Sequence, residues 1–122
     1  KRSNNNYKVW WNRNSYTKNK TSKVKTMVSL FYGCTSLKSI DLSSFNTSNV
    51  VNMSKTFMLC NNLTTIYVSE LWNTSKVTTS NLMFNESRKL KSSNGTISYS
   101  WDKVDVGMAN YTTGYLTYKA IT

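Results

Sequence analysis

The sequence predicts an α/β fold built as a short solenoid. In this reading one domain of stacked coils carries short parallel strands on one side and short helical turns on the other, and a β-rich segment closes its C-terminal end. Three observations predict it. Phe31, Cys34, Leu37 and Ile40 return as Phe57, Cys60, Leu63 and Ile66, 26 positions further on. Ile40 and Leu42 alternate with Ser39 and Asp41, as a strand with one buried face requires. Val50, Met53 and Phe57 stand three and four apart, the spacing of one helix face.

Taken in order, residues 1–20 form a worn first coil, an irregular leading segment or the stump of a longer array. A backward shift of 26 lays Trp11 and Tyr16 on Leu37 and Leu42 but puts Asn14 where Ile40 belongs. Residues 21–90 are the repeats proper. Thr21-Ser22-Lys23-Val24 precedes Met27 and Phe31 as Thr47-Ser48-Asn49-Val50 precedes Met53 and Phe57, and Thr74-Ser75-Lys76-Val77 restates the block after one extra residue, Trp72. A period of 26 to 27 containing Leu-x-x-Ile-x-Leu is the pattern of leucine-rich coils. Stacking them sets Ile40 over Ile66 inside, and Ser39, Asp41, Thr65 and Tyr67 on an outward wall. The polar triplet Thr47-Ser48-Asn49 is placed to cap a short helix over Val50 to Phe57. Residues 91–122 are a cap. The pattern breaks at Ser92-Ser93-Asn94-Gly95-Thr96, and two β-favouring runs follow, Thr96 to Trp101 and Tyr115 to Tyr118.

The 122 residues carry 16 Lys and Arg against 5 Asp and Glu, a formal charge of +11, with no His and no Pro. Eight of these cations lie within residues 1–25, ahead of the first acid, Asp41, which makes the N-terminal third a positive pole able to attract anionic surfaces. Nucleic-acid binding is disfavoured, because no helix-turn-helix, zinc-finger or RNA-binding signature accompanies the charge. No apolar run approaches the ~18 residues of a membrane helix, and no charged-then-apolar leader is present, so the chain is read as soluble, mature or excised.

Without His the usual general base and metal ligand are missing. Asp102 and Asp105, with Lys103 between them, read as a solvated turn. No catalytic, cofactor or metal residue is assigned. Cys34 and Cys60, one coil apart, are expected as two stacked thiols in a column of small buried groups, with a cross-coil disulfide as the alternative. Trp72, as an inserted residue, is expected to bulge outward. Trp10, Trp11 and Trp101 are expected to plug the solenoid ends. The candidate ligand-binding residues are therefore Arg13, Ser39, Asp41, Thr65, Tyr67 and Trp72.

The run from Phe31 through Ile40-Asp41-Leu42-Ser43-Ser44-Phe45-Asn46-Thr47-Ser48-Asn49-Val50 to Met53 resembles the repeat of BspA-like leucine-rich repeat surface proteins of bacteria, closely so over residues 21–90. The Asn-Gly-Thr turn and Gly114-Tyr115-Leu116-Thr117-Tyr118 are similar to the segment that closes such arrays. Departures are Asn46 and Asn73 for the usual Asp, Tyr67-Val68 for Asp-Leu, and Ser87 for a third Cys. The resemblance implies a secreted or cell-surface protein that adheres to proteins of a host or neighbouring cell, with no enzyme activity and no cofactor. Two other functions stay open from the residues: end-to-end self-assembly through an open strand edge, and attachment to a polyanion or envelope surface through the basic N-terminal segment.

Overall fold

The computed structural model describes residues 21–92 and 95–121. Three short strands, β1 (Ser39–Asp41), β2 (Thr65–Val68) and β3 (Leu116–Tyr118), form one sheet in the order β1-β2-β3. Both pairings are parallel. Ile40 faces Ile66 and Asp41 faces Tyr67, so β1 and β2 lie in the 26-residue register that the repeat implies. Ile66 then faces Leu116, and Tyr67 faces Thr117. Ile40, Ile66 and Leu116 point into a core that also takes in Leu42, Leu63, Val68 and Leu90.

The α/β expectation is corrected on the other side of the coil. Val50 to Phe57 is not a helix, and neither is its counterpart in the first or third coil; among the described residues of the cap there is one 3-10 turn, at Val106–Met108. The backbone instead runs as successive tight turns whose N–H groups alternate between two uses. Met27, Ser29, Phe31 and Gly33 donate across to Asn52, Ser54, Thr56 and Met58 of the second coil, and Met53, Lys55, Phe57 and Leu59 donate to Thr79, Asn81, Met83 and Asn85 of the third. Between them, Leu30, Tyr32 and Cys34 close turns on Met27, Ser29 and Phe31. Left-handed residues recur once per coil in two columns, Ser29, Lys55 and Leu82 at φ 56°, 58° and 56°, and Gly33, Leu59 and Glu86 at φ 69°, 60° and 67°.

Physics explains the misreading. Spacings of three and four are met by consecutive turns as well as by a helix, so the apolar pattern alone does not separate them. A helix of two turns is marginal by itself, and a residue in the left-handed region ends it. Here the neighbouring coil satisfies the N–H groups that a helix would have kept. The triplet expected to cap that helix serves the stack too. Asn46 and Asn73 accept from the N–H groups of Ser48 and Ser75 in side-chain-closed turns. Thr47 accepts the Asn73 N–H at 2.6 Å and donates to its carbonyl.

The interior is organised by a column of rings. Phe31 stacks on Phe57 at 5.5 Å and Phe57 on Phe84 at 5.6 Å, with planes only 14° and 4° apart. Next to it runs a column of small hydrogen-bonding groups. The Cys60 thiol donates to the Phe31 carbonyl at 3.1 Å, and one coil later the Ser87 hydroxyl donates to the Phe57 carbonyl. Ser87 thus keeps the hydrogen bond of the cysteine it replaces. Cys34 and Cys60 are both thiols, and burial pushes Cys60 up to about 11.

The C-terminal segment ends both ladders. β3 extends the sheet, while the Val104 carbonyl accepts the Phe84 N–H and the Ser80 hydroxyl accepts that of Val106. Tyr115 meets Phe84 edge-on at 5.2 Å and 90°, which ends the parallel stacking of the phenylalanines, Tyr99 stacks on Tyr115 at 5.9 Å, and the Tyr115 hydroxyl donates to the Lys103 carbonyl at 2.6 Å. The run Thr96 to Trp101 is not a strand; it contributes isolated antiparallel bridges, Lys91 with Ser98 and Ser100 with Lys103. Trp101 does not plug an end, since it is 78% exposed. Arg13, Trp10 and Trp11 lie outside the described residues.

Two substitutions test this account. A Cβ on Gly114 would stand 2.2 Å from the Met108 carbonyl oxygen and 2.6 Å from its carbon, both backbone. Gly114→Ala is therefore expected to destabilise by at least about 1–3 kcal/mol in chemical denaturation; an unchanged midpoint contradicts the close approach. At the exposed, left-handed Lys55, Gly removes the strain while a β-branched residue adds to it. Lys55→Gly is expected to leave stability unchanged or raised by up to about 1 kcal/mol, and Lys55→Val to lower it by about 1–2 kcal/mol.

Candidate functional site

The sheet has one face in the core and one outward, and parallel register turns the outward side chains into rows. One row holds Ser39 and Thr65; the next holds Asp41, Tyr67 and Thr117. Lys119, just beyond β3, is tied to β2 through its N–H on the Val68 carbonyl. Its ammonium reaches back across the sheet to the Asp41 carboxylate. On the way it lies over Tyr67, 5.6 Å from the ring centroid, a cation–π contact. The wall thus joins the first coil to the residue after the last strand across a sequence separation of 78.

Burial alone would raise the Asp41 pKa, but hydrogen bonds from Lys119 and from Ser43 outweigh it and hold the carboxyl below its ordinary value. Ser43 donates its backbone N–H at 2.9 Å. At the end of β3, Tyr118, in register with Val68 rather than with the outward row, donates to Glu70 at 3.0 Å and packs on Tyr111 at 5.1 Å; the two tyrosines are 48% and 39% exposed. The bond to Glu70 raises the Tyr118 pKa. Thr117 is buried, and its hydroxyl has no hydrogen-bond partner among the described residues.

Of the residues expected at the site, Ser39, Asp41, Thr65 and Tyr67 come together on the wall. Trp72 does not. It is 8% exposed, and its indole N–H donates to the Ala109 carbonyl at 2.9 Å, so the inserted residue turns inward and ties the second coil to the cap. The expectation of an outward bulge fails because the cap offers both an acceptor and an apolar seat. Sequence reasoning missed Thr117, Lys119, Tyr118 and Glu70. The apolar-polar-apolar alternation of Leu116, Thr117 and Tyr118 was the available signal, but a 50-residue step from Ile66 to Leu116 matches no multiple of the repeat.

Charge elsewhere is partly absorbed by the stack. Asn49 donates its side-chain amide to the Ser22 carbonyl and accepts from Lys76, and Asn62 does the same between Thr35 and Lys89. Every acid is engaged as well. Besides Asp41 and Glu70, Glu86 pairs with Arg88, Asp102 accepts from the Ser100 hydroxyl, and Asp105 from the Gly107 N–H. Away from the wall, an apolar cavity of about 200 Å³ lies against the first coil, lined by Val24, Met27, Leu30, Phe45 and Val50 among others. No helix among the described residues is long and apolar enough to cross a membrane.

The Asp41–Lys119 pair has a defined pH signature. The folded pKa of Asp41 is depressed, so its contribution is complete above the unfolded value of about 3.9 and is lost as pH falls through the folded pKa. Both side chains are more than two-fifths exposed, which limits the pair to about 1 kcal/mol or less. Asp41→Asn is expected to lower stability by that much at pH 7, with the difference from the parent chain closing in acid; a difference that persists below the folded pKa contradicts the pairing. Trp72→Phe should keep most of the packing and lose the bond to Ala109, costing about 1–2 kcal/mol in the same assay.

Comparison with curated proteins and with solved structures returns no significant match. One family model does match, described as a mycoplasma protein of unknown function, and it spans residues 3–116, nearly the whole chain. That span is well over half of the sequence, and the chain belongs to this family, DUF285.

Proposed function

We propose that this chain is a non-enzymatic protein-binding module of a secreted or cell-surface protein, and that it binds through the outward face of its sheet. The observation that carries this reading is the continuous row Asp41, Tyr67, Thr117 with Lys119 across it. It sets a half-buried aromatic ring and two opposite charges on a wall of three strands. Aromatic side chains with adjacent charge dominate the energetics of protein interfaces, and stacked repeats offer such rows as one extended surface. That each acid already has a local hydrogen-bond partner favours recognition over acid–base chemistry. The resemblance of residues 21–90 to BspA-like surface repeats supports the same reading.

Binding of the purified chain to immobilised surface proteins of epithelial cells tests it. Tyr67→Ala and the double variant Asp41→Ala/Lys119→Ala are expected to weaken binding at least about tenfold, as for central interface residues. Tyr32→Ala, on the turn side where Tyr32 is 45% exposed, should leave it unchanged. Attachment that ignores the wall variants and collapses between low and physiological salt would contradict the proposal and assign binding to the basic N-terminal segment.

A further inference from the structure

We propose that Cys34 and Cys60 are a disulfide-forming pair, a modification site that clamps the first coil to the second when the chain meets a two-electron oxidant such as hydrogen peroxide. The inference is independent of what the wall binds. Register carries it. The two cysteines are 26 residues apart, between positions already seen to stack: Phe31 on Phe57 at 5.5 Å on one side and Ile40 paired with Ile66 on the other. Just before them, the Gly33 N–H donates to the Met58 carbonyl at 2.8 Å. Equivalent positions on adjacent parallel coils are about 4.8 Å apart, inside the Cα separation of roughly 4.4–6.8 Å that a disulfide spans. The Cys60 sulfur is already on the Cys34 side of its coil, hydrogen-bonded to the Phe31 carbonyl at 3.1 Å and in contact with the backbone N–H of Cys34.

Hydrogen bonding alone does not account for a thiol at position 60, because Ser87 makes the same bond to the preceding coil with a hydroxyl. What sulfur adds at positions 34 and 60 is the ability to be joined. The two sites also differ in access: Cys34 is half-buried and Cys60 fully buried. An oxidant therefore meets Cys34 first. Its thiolate attacks one peroxide oxygen, the O–O bond breaks, and a sulfenic acid and hydroxide result. The Cys60 sulfur then attacks the Cys34 sulfur, the S–O bond breaks, and the departing hydroxide takes the Cys60 proton as water. In sum two thiols and one peroxide give one disulfide and two waters. Because burial holds the Cys60 thiol up to about 11, the second step is slow at neutral pH and accelerates in alkali.

The test uses the full chain, exposed to hydrogen peroxide at pH 8, then denatured, alkylated and weighed intact. Expected is a monomer lighter by about 2 Da with both thiols lost together, recovered by dithiothreitol. The oxidised chain should also melt at least about 5 °C higher. Cys34→Ser and Cys60→Ser should each abolish the change, and Cys60→Ser has a folded precedent in Ser87. Two alkylatable thiols remaining under conditions that oxidise a small dithiol would overturn the proposal. So would sulfinic products or cross-linked dimers in the parent chain. The parent-chain mass decides even if a serine variant fails to fold.

Discussion

The structure depends on hydrogen bonding between coils. Each coil gives backbone N–H groups to its neighbour at two places, the strands on one side and the turn ladder from Met27 to Gly33 and Met53 to Leu59 on the other. Two attachment lines leave little freedom for one coil to slide along the next. A one-residue slip would turn Ile40 and Ile66 out to solvent and break the side-chain links Thr47 to Asn73 and Cys60 to Phe31 together. The stacked phenylalanines follow from that register. So do the paired cysteines and the outward row of Asp41, Tyr67 and Thr117.

This explains how a chain with many polar residues makes a core. Much of its Asn, Ser and Thr is internal wiring: Thr56 and Ser69 hydroxyls donate to carbonyls one coil back, and Asn49 and Asn62 span coils with their amides. A buried hydroxyl is acceptable when it replaces a bond to water with one to the next coil. The left-handed residues have the same logic. Lys55, Leu59, Leu82 and Glu86 tolerate an unfavourable backbone region because the turns that need it present alternate N–H groups to the neighbour.

Much of this was legible in the sequence, and the losses have particular causes. The register of Ile40 on Ile66 could be read because a 26-residue shift aligns side chains of the same kind. The helical turns were misread because Val50, Met53 and Phe57 constrain which side chains face inward, not which carbonyl receives each N–H. On the wall, Ser39, Asp41, Thr65 and Tyr67 followed from strand alternation. Lys119 did not, since its partner is 78 positions away and the closing segment follows no repeat. Trp72 was misplaced for a related reason: an insertion lengthens a turn, but whether its side chain turns out or in depends on what the cap puts beside it, here the Ala109 carbonyl.

The most direct test of the account is the distance between equivalent residues on successive coils, read from long-range nuclear Overhauser contacts in the labelled full chain. The register described here requires backbone contacts between Ile40 and Ile66 and between Ile66 and Leu116, together with ring contacts from Phe57 to both Phe31 and Phe84. Contacts that pair Ile66 with other residues, or that separate Phe57 from either ring, would contradict the stacked register and with it the wall.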